Sequence, residues 1–196
     1  NAIHDMIEHT MRCLAFNGYM VDCPHLERAG YGGDGNSSTD ILQTMCGTAP
    51  LFRNWIQSWA DAMREGGSLP HSVPNPYMTG GGPYWCSFVI MASWQTYLNY
   101  GDSRLLDRYY PMMQEWLGYV EKYSVDGLLR PWPSEWYRHW YLGDWLAPDG
   151  VDYKNTTSVD LVNNCVVSQS FDLMSKIATV LGKADDAAKY KTQHDE

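Results

Sequence analysis

Three acidic residues lie close together near the start of the chain, in a segment rich in glycine. Asp22, Glu27 and Asp34 fall within thirteen positions, and a Cys-Pro pair follows the first of them. We expect the glycines of this segment to adopt positive-φ or otherwise restricted conformations, and rigid loops often carry function. The alternative is an ordinary surface loop, in which Glu27 forms an ion pair with Arg28. Acids arranged in this way favour acid–base chemistry. The glycines concerned are Gly30, Gly32 and Gly33.

This segment resembles the signature loop of the α-L-rhamnosidases of glycoside hydrolase family 78, usually written DCP-x-R-D-E-R-x-G-W-x-G-D. The chain reads DCPHLERAGYGGD over residues 22–34 and matches the signature at the Asp-Cys-Pro, Glu-Arg, Gly and Gly-Asp positions. It is one residue shorter between Pro24 and Glu27, it lacks the Arg-Asp pair before the glutamate, and it has Tyr31 where tryptophan is common. By this resemblance, Glu27 corresponds to the general acid of the family.

Two later segments are similar to other parts of the same family. Residues 142–148 read LGDWLAP, like the family's GDWLAP segment, and residues 80–85 read GGGPYW, like its Gly-rich loop that ends in tryptophan. The resemblance implies that Trp145 contacts the sugar and that Asp144 supports it. Trp85 and Tyr31 would complete an apolar wall for the methyl group of a deoxy sugar. The alternative for these aromatic residues is packing at the rim of the domain.

Glycoside cleavage requires one protonated carboxyl group and one ionised carboxylate. If Asp22 and Asp34 fold near Glu27, like-charge repulsion would raise the pKa of Glu27 and keep it protonated near neutral pH. The two aspartates would then stay ionised, accept hydrogen bonds from sugar hydroxyls and favour the positive charge of the transition state. Arg28 would oppose this effect if it pointed inward, and we expect it to point outward.

The family inverts anomeric configuration. Its base is therefore a carboxylate about 6.5–9.5 Å from the acid, and this carboxylate activates a water molecule. In the family that base lies in a later part of the domain, and no position of this chain matches it. The expected partners are therefore a rhamnose-containing carbohydrate, the remainder of the catalytic domain and accessory domains, with no cofactor and no metal. Two alternatives stay open. One is a non-catalytic helical carbohydrate-binding module, and the other is a different six-hairpin glycosidase such as a glucuronyl hydrolase.

Apolar residues recur at helical spacing through most of the chain, whereas no stretch alternates apolar and polar residues for long, so the sequence predicts an all-α fold. Three long segments between the helices, 17–38, 66–83 and 124–157, are expected to be functional loops. The family resemblance implies an (α/α)6 toroid of helical hairpins, and the predicted helices supply about half of one. Together with the absence of an initiator Met, this predicts that residues 1–196 are the N-terminal portion of a six-hairpin catalytic domain. The predicted helices cover residues 3–15, 39–46, 50–64, 85–100, 103–120, 158–181 and 184–194.

Most aromatic residues here have a polar edge, because nine Trp and fourteen Tyr accompany four Phe. Such rings suit surfaces that contact sugars as well as helix interfaces. Helical spacing assigns Trp55, Trp59, Trp94 and Trp116 to packing between helices. The loop residues Trp85, Trp132, Trp136, Trp140 and Trp145 are candidates for sugar contacts.

Composition argues against several other classes of function. The net charge of −9 disfavours nucleic acid as a partner, and no apolar run approaches the ~20 residues that cross a bilayer. The five cysteines are widely spaced without a C-x-x-C pair, and the six histidines are scattered, which gives little support for a zinc site or a disulfide framework. We expect each cysteine to be a small core residue. The compartment is left open, with periplasm or secretion compatible with the sequence.

Overall fold

The computed structural model describes residues 1–75, 80–132, 141–145 and 156–196, except for the side chains of Thr156 and Thr157. Two of the tryptophans proposed for sugar contact, Trp136 and Trp140, lie outside the described residues. The same holds for residues 146–148 of the LGDWLAP segment.

Helices dominate the described ranges, which confirms the all-α prediction. The strands are two antiparallel ribbons with two residues on each side, β1 (Ala15–Phe16) with β2 (Tyr19–Met20) and β3 (Ser124–Val125) with β4 (Leu128–Leu129). The turns of these ribbons are Asn-Gly and Asp-Gly pairs in which both residues have positive φ, the sequence typical of tight hairpins. The helices are α1 (Ala2–Leu14), α2 (Gly32–Met45), α3 (Ala49–Asp61), α4 (Pro83–Cys86), α5 (Phe88–Tyr100), α6 (Ser103–Lys122), α7 (Thr156–Val180) and α8 (Ala184–Asp195).

The junction between α5 and α6 follows directly from local chemistry. Gly101 ends α5 in the left-handed region with φ of 67°, where a side chain would be strained. Asp102 then caps α6, since its carboxylate accepts a hydrogen bond of 3.1 Å from the backbone N–H of Arg104. Apolar residues at helical spacing form a stripe along α6, and this stripe is buried. Its members are Leu105, Leu106, Tyr109, Met112, Met113, Trp116, Leu117 and Val120.

The start of α2 differs from the sequence prediction. We expected a loop up to residue 38 and a short helix capped by Thr39, whereas α2 begins at Gly32. Thr39 lies inside the helix, and its hydroxyl donates a 2.6 Å hydrogen bond to the carbonyl of Gly35. Glycine is a poor helix former, so tertiary packing outweighs local propensity here. Asp34 therefore lies in the first turn of a helix and not on a loop.

Helix α5 lies at the centre of the packing and contacts α2, α3, α6 and α7. Helix α3 also contacts α6, and α7 packs along α8 as a hairpin joined by the residues around Gly182. Helices joined by short turns and stacked side by side are the hairpins of part of an (α/α)6 toroid, as the sequence resemblance implied. The hydrophobic core runs continuously through α3, α5, α6 and α7.

Tryptophan and cysteine burial tests two further expectations. Trp55, Trp59 and Trp116 are fully buried and Trp94 packs partly buried against the core, which confirms their assignment to helix packing. Trp132 is also buried, and its indole N–H donates to the carbonyl of Gly81 at 2.8 Å, so its assignment as a sugar-contacting loop residue is wrong. The expectation that every cysteine is a core residue is wrong as well. Cys86 is buried, Cys23 and Cys46 are half-buried, and Cys13 and Cys165 are exposed.

Within the described ranges, none of the helices has both the length and the apolar character of a membrane span.

Candidate active site

A cleft of about 1010 Å³ opens between α1, the loop that precedes α2, the first turns of α2, and the segment 141–145. The seven residues to which the family resemblance assigned a role in the site line this cleft, although they come from separate segments of the chain. They are Asp22, Glu27, Tyr31, Asp34, Trp85, Asp144 and Trp145.

Asp22 closes the loop that carries Glu27. Its backbone N–H donates to the carbonyl of Ala29 at 3.1 Å, and its carboxylate Oδ1 accepts from the N–H of Ala29 at 3.0 Å. Between these two residues the chain turns back through Arg28, which has a positive φ of 53°. Arg28 is exposed and is not part of the cleft lining, in agreement with its expected outward orientation. Asp22 thus has a structural role that is separate from any contact with a sugar.

Glu27 is exposed, and its side chain is held by a single described hydrogen bond. The hydroxyl of Tyr31 donates to Glu27 Oε2 at 2.5 Å. Tyr31 is half-buried, and burial, the bond to Glu27 and the nearby carboxylates together raise the pKa of its phenol. The phenol therefore stays protonated near neutral pH, where its hydroxyl is a hydrogen-bond donor.

Asp34 is the carboxyl group whose pKa the surroundings raise. Desolvation by the cleft walls is the main cause, although the side chain opens to solvent, and the charges of Asp22 and Glu27 add to it. Desolvation acts on Asp34 because the first turn of α2 holds its carboxyl group in the cleft, and the neighbouring carboxylates act on it as well. From the sequence we expected like-charge repulsion to act on Glu27, and this stays a prediction.

The glycines of the motif permit close approach between segments, and none of the three has a positive φ. A Cβ atom on Gly30 would lie 2.1 Å from the carbonyl oxygen of Val73, and one on Gly32 would lie 2.0 Å from that of Trp85. A Cβ atom on Gly33 would lie 2.9 Å from the indole nitrogen of Trp85. The glycines therefore bring the acidic loop directly against Val73 and the start of α2 directly against Trp85 of α4.

The aromatic wall of the cleft contains two tryptophans from distant segments. The rings of Trp85 and Trp145 meet edge to face, with centroids 6.5 Å apart and planes at 86°. Trp85 is buried, whereas 54% of Trp145 is exposed. Gly143 lets the segment with Asp144 lie against α7, since a Cβ atom there would be 2.7 Å from Cα of Val159. A half-exposed indole beside a carboxylate is suited to contact with a sugar.

His71 is a cleft residue that the sequence reasoning missed. Its ring stacks on Tyr31 with centroids 5.1 Å apart, and its Nδ1 lies 2.7 Å from the carbonyl of Gly80, to which it donates. Burial lowers the pKa of His71 to about 4, with the charge of Arg64 acting in the same direction. The imidazole is therefore neutral near pH 7. A lone histidine in a loop rich in Pro and Gly gives no spacing signal, because its partners come from other segments.

Part of the cleft lining is apolar. Side chains from α1, β2, α2 and α7 contribute to it. They include Met11, Leu14, Met20, Ile41, Val162 and Val166.

The arrangement combines carboxyl groups, a neutral imidazole and indole faces in one cleft. Carboxyl groups whose environments differ can divide the roles of acid and electrostatic stabiliser. In the described part of the chain, His, Cys, Asp and Glu side chains form no group of three that could hold a metal ion. The chemistry available to these residues is proton transfer and the stabilisation of positive charge.

Comparison with known families gives one match over the complete chain. Residues 1–196 match the model of the bacterial α-L-rhamnosidase six-hairpin glycosidase domain. The chain is similar to an α-L-rhamnosidase of Streptomyces avermitilis, with 32% identity over 165 residues, which are 84% of this chain and 15% of the relative. It is also similar to an α-L-rhamnosidase of Formosa agariphila, with 27% identity over 175 residues, covering 87% of this chain and 18% of the relative.

Solved structures show the same similarity. The α-L-rhamnosidase from Dictyoglumus thermophilum superposes with a TM-score of 0.82 at 27% identity, covering 100% of this chain and 22% of that one. The Streptomyces avermitilis α-L-rhamnosidase, solved in complex with L-rhamnose, superposes with a TM-score of 0.77 at 26% identity, covering 96% of this chain and 18% of that one. The chain thus spans less than a quarter of the length of each of these relatives.

Proposed function

The chain belongs to the six-hairpin glycosidase domain family of bacterial α-L-rhamnosidases, and on that premise we propose that it carries the general acid of such an enzyme. The reaction is hydrolysis of terminal, non-reducing α-L-rhamnose from glycosides or polysaccharides, with inversion at the anomeric carbon. Residues 1–196 would form the N-terminal portion of the catalytic domain. The remainder of that domain and accessory domains would be its partners.

The observation that carries this proposal is the convergence of the acidic loop and the tryptophan segments on one cleft. Glu27 and Trp145 are separated by more than half of the chain, yet both line the same space. A loop and a helix start with only structural roles have no reason to present three carboxylates to an aromatic wall. A sugar bound there would meet polar groups at its hydroxyls and indole faces at its apolar side.

In the proposed mechanism, Glu27 donates its proton to the glycosidic oxygen as the bond to the anomeric carbon breaks. Asp22 and Asp34 line the same cleft and stabilise the positive charge that develops on the sugar ring. Inversion needs a second carboxylate that activates water from the opposite face of the ring. We propose that this base lies in the remainder of the catalytic domain, since no position in the chain matches it.

Specificity for a deoxy sugar would come from the aromatic side of the cleft. Trp85, Trp145 and the ring of Tyr31, which line the cleft, would contact the C6 methyl group and the apolar face of rhamnose. Asp144, next to Trp145, would accept hydrogen bonds from sugar hydroxyls.

This function predicts the stereochemistry of the first product formed by the full-length protein. With an aryl α-L-rhamnoside as substrate, ¹H-NMR at early times should show β-L-rhamnose before mutarotation produces the α anomer. The matched α-L-mannoside carries a hydroxyl group on C6 in place of one hydrogen of the methyl group. It should react more slowly, because that hydroxyl would enter an apolar site.

Other outcomes would contradict the proposal in different ways. Initial release of α-L-rhamnose would exclude inversion, and release of an unsaturated uronic acid from an oligosaccharide would assign the domain to glucuronyl hydrolysis. Binding of rhamnosides without release of sugar, under conditions in which the protein is folded, would indicate a carbohydrate-binding module.

A further inference from the structure

Tyr31 donates a hydrogen bond to Glu27 and stacks on His71, and a residue that only contacted the sugar would need neither contact. We propose that Tyr31 is a positioning residue for Glu27, and that the stack on His71 and the backbone around it hold its phenol in place. This inference rests on the proposed function, in which Glu27 is the general acid.

The position of Glu27 explains why such a residue is needed. Residues 24–28 are all exposed, so the side chain of Glu27 extends from a loop whose own side chains have little packing to hold them. An unrestrained glutamate samples several rotamers, whereas proton transfer requires the carboxyl group within hydrogen-bond reach of the leaving oxygen. The hydroxyl of Tyr31, 2.5 Å from Glu27 Oε2, supplies the restraint.

The hydrogen bond also distinguishes the two carboxyl oxygens. Because Oε2 accepts from Tyr31, the proton that is transferred is left to the other oxygen, Oε1. A phenol can donate to Oε2 whether the carboxyl group is protonated at Oε1 or ionised. Tyr31 can therefore hold Glu27 before and after proton transfer.

Tyr31 is itself fixed from two sides. Its backbone pairs with residues 71–73, through hydrogen bonds from Gly32 N–H to the carbonyl of His71 at 3.0 Å and from Val73 N–H to that of Gly30 at 2.9 Å. One face of its ring stacks on His71 at an interplanar angle of 29°. His71 is buried and donates to Gly80, so it cannot move without breaking that bond. This support makes the phenol a rigid reference point in an otherwise exposed loop.

The charged groups around the pair favour the same assignment. Asp22 and Asp34 act on Tyr31 from the acidic loop and from α2, and both keep its phenol protonated. On the other side, His71 is neutral near pH 7 and Arg64 acts on His71. The imidazole stacked on Tyr31 is thus uncharged. The protonated hydroxyl of Tyr31 acts as a neutral hydrogen-bond donor to Glu27. Asp144 lies in the same cleft on the segment that carries Trp145.

The test replaces the hydroxyl while keeping the ring. In the full-length protein, Tyr31→Phe preserves the stack on His71 and removes the bond to Glu27. Tyr110→Phe is the matched control, because its hydroxyl donates to the carboxylate of Asp186 at 2.9 Å, between α6 and α8 and outside the cleft. A hydrogen bond from a phenol favours an ionised carboxylate, so its loss should move the alkaline limb of the kcat/KM profile up by about one pH unit.

We expect Tyr31→Phe also to lower kcat about tenfold on rhamnosides with poor leaving groups, and less on activated aryl rhamnosides. A ¹³C-NMR titration of Glu27 in the same two variants gives a readout that does not require activity, with a higher midpoint expected only in Tyr31→Phe. If the kcat/KM pH profile and the Glu27 midpoint of Tyr31→Phe equal those of the wild type, the positioning role is overturned. In that case the proposed function would still stand as long as the wild type is active. A shifted Glu27 midpoint in a protein without glycosidase activity would instead support the pairing and contradict the function.

Discussion

Three residues in the cleft have pKa values shifted from the ordinary values of their residue types. Burial raises the pKa of the Tyr31 phenol and lowers that of the His71 imidazole to about 4, and desolvation raises the pKa of Asp34. Each of these shifts favours the neutral form of its group.

His71 predicts a pH dependence of stability. Its ordinary pKa is 6.5 and its folded pKa is about 4, so the native state binds the proton less well than the unfolded state. The contribution of His71 to stability is therefore fully present above pH 6.5, and it is lost progressively as the pH falls from 6.5 towards 4. The loss should amount to about 2 to 3 kcal/mol.

Urea denaturation at a series of pH values measures this contribution, with His71→Gln compared with wild type. The variant should lose less stability than the wild type between pH 6.5 and 4. His4→Gln, which replaces an exposed histidine of α1, should follow the wild-type curve. Parallel curves for wild type and His71→Gln would show that the imidazole is not buried in a neutral form.

Individual elements are determined partly by local sequence and partly by tertiary contact. The limits of α6 could be predicted because the Asp102 cap, the preceding glycine and the apolar stripe are all local signals. The start of α2 could not be predicted, because a helix that begins with two glycines depends on the chain that packs against it. The two small ribbons did have a signal in their Asn-Gly and Asp-Gly turns, and this signal was missed.

The contact between α2 and α4 gives a prediction at this scale. Gly32→Ala would place a Cβ atom 2.0 Å from the carbonyl oxygen of Trp85, and backbone atoms cannot move aside cheaply. We expect a loss of about 2 kcal/mol or more in the free energy of unfolding, together with displacement of Trp85 and weaker binding of rhamnose.

Gly47→Ala is the matched control, because among the described residues no heavy atom outside Gly47 and its chain neighbours lies within 4 Å of the Cβ position there. This variant should stay within about 0.5 kcal/mol of the wild type. Thermal denaturation compares the stabilities of the two variants, and tryptophan fluorescence during titration with rhamnose compares their binding. Equal stabilities for both variants would mean that the close approach of α2 to Trp85 is not a requirement of the fold.

The molecule as a whole assembles its cleft from segments that are remote in sequence. Sequence motifs identified the individual residues, but the position of His71 against Tyr31 depends on the pairing of two loops. The burial of Trp132 likewise depends on Tyr119, Tyr123 and Tyr141 around it. Such contacts follow from the packing of hairpins and have no local signal in the sequence. For the same reason, the sequence named Glu27 but did not reveal its hydrogen bond to Tyr31.

The central claim is that Glu27 in this cleft is the general acid of a rhamnoside-cleaving enzyme. Its most direct test is how the activity lost in the Glu27→Gln variant depends on the leaving group of the substrate. In the full-length protein, kcat/KM should fall at least about a hundredfold for rhamnosides with alkyl or sugar leaving groups, which need a proton. The loss should be much smaller for activated aryl rhamnosides. Glu65→Gln, at an exposed position that does not line the cleft, should behave as wild type on both. Equal losses of Glu27→Gln on both kinds of substrate, or no loss on either, would contradict the assignment of Glu27 as the acid.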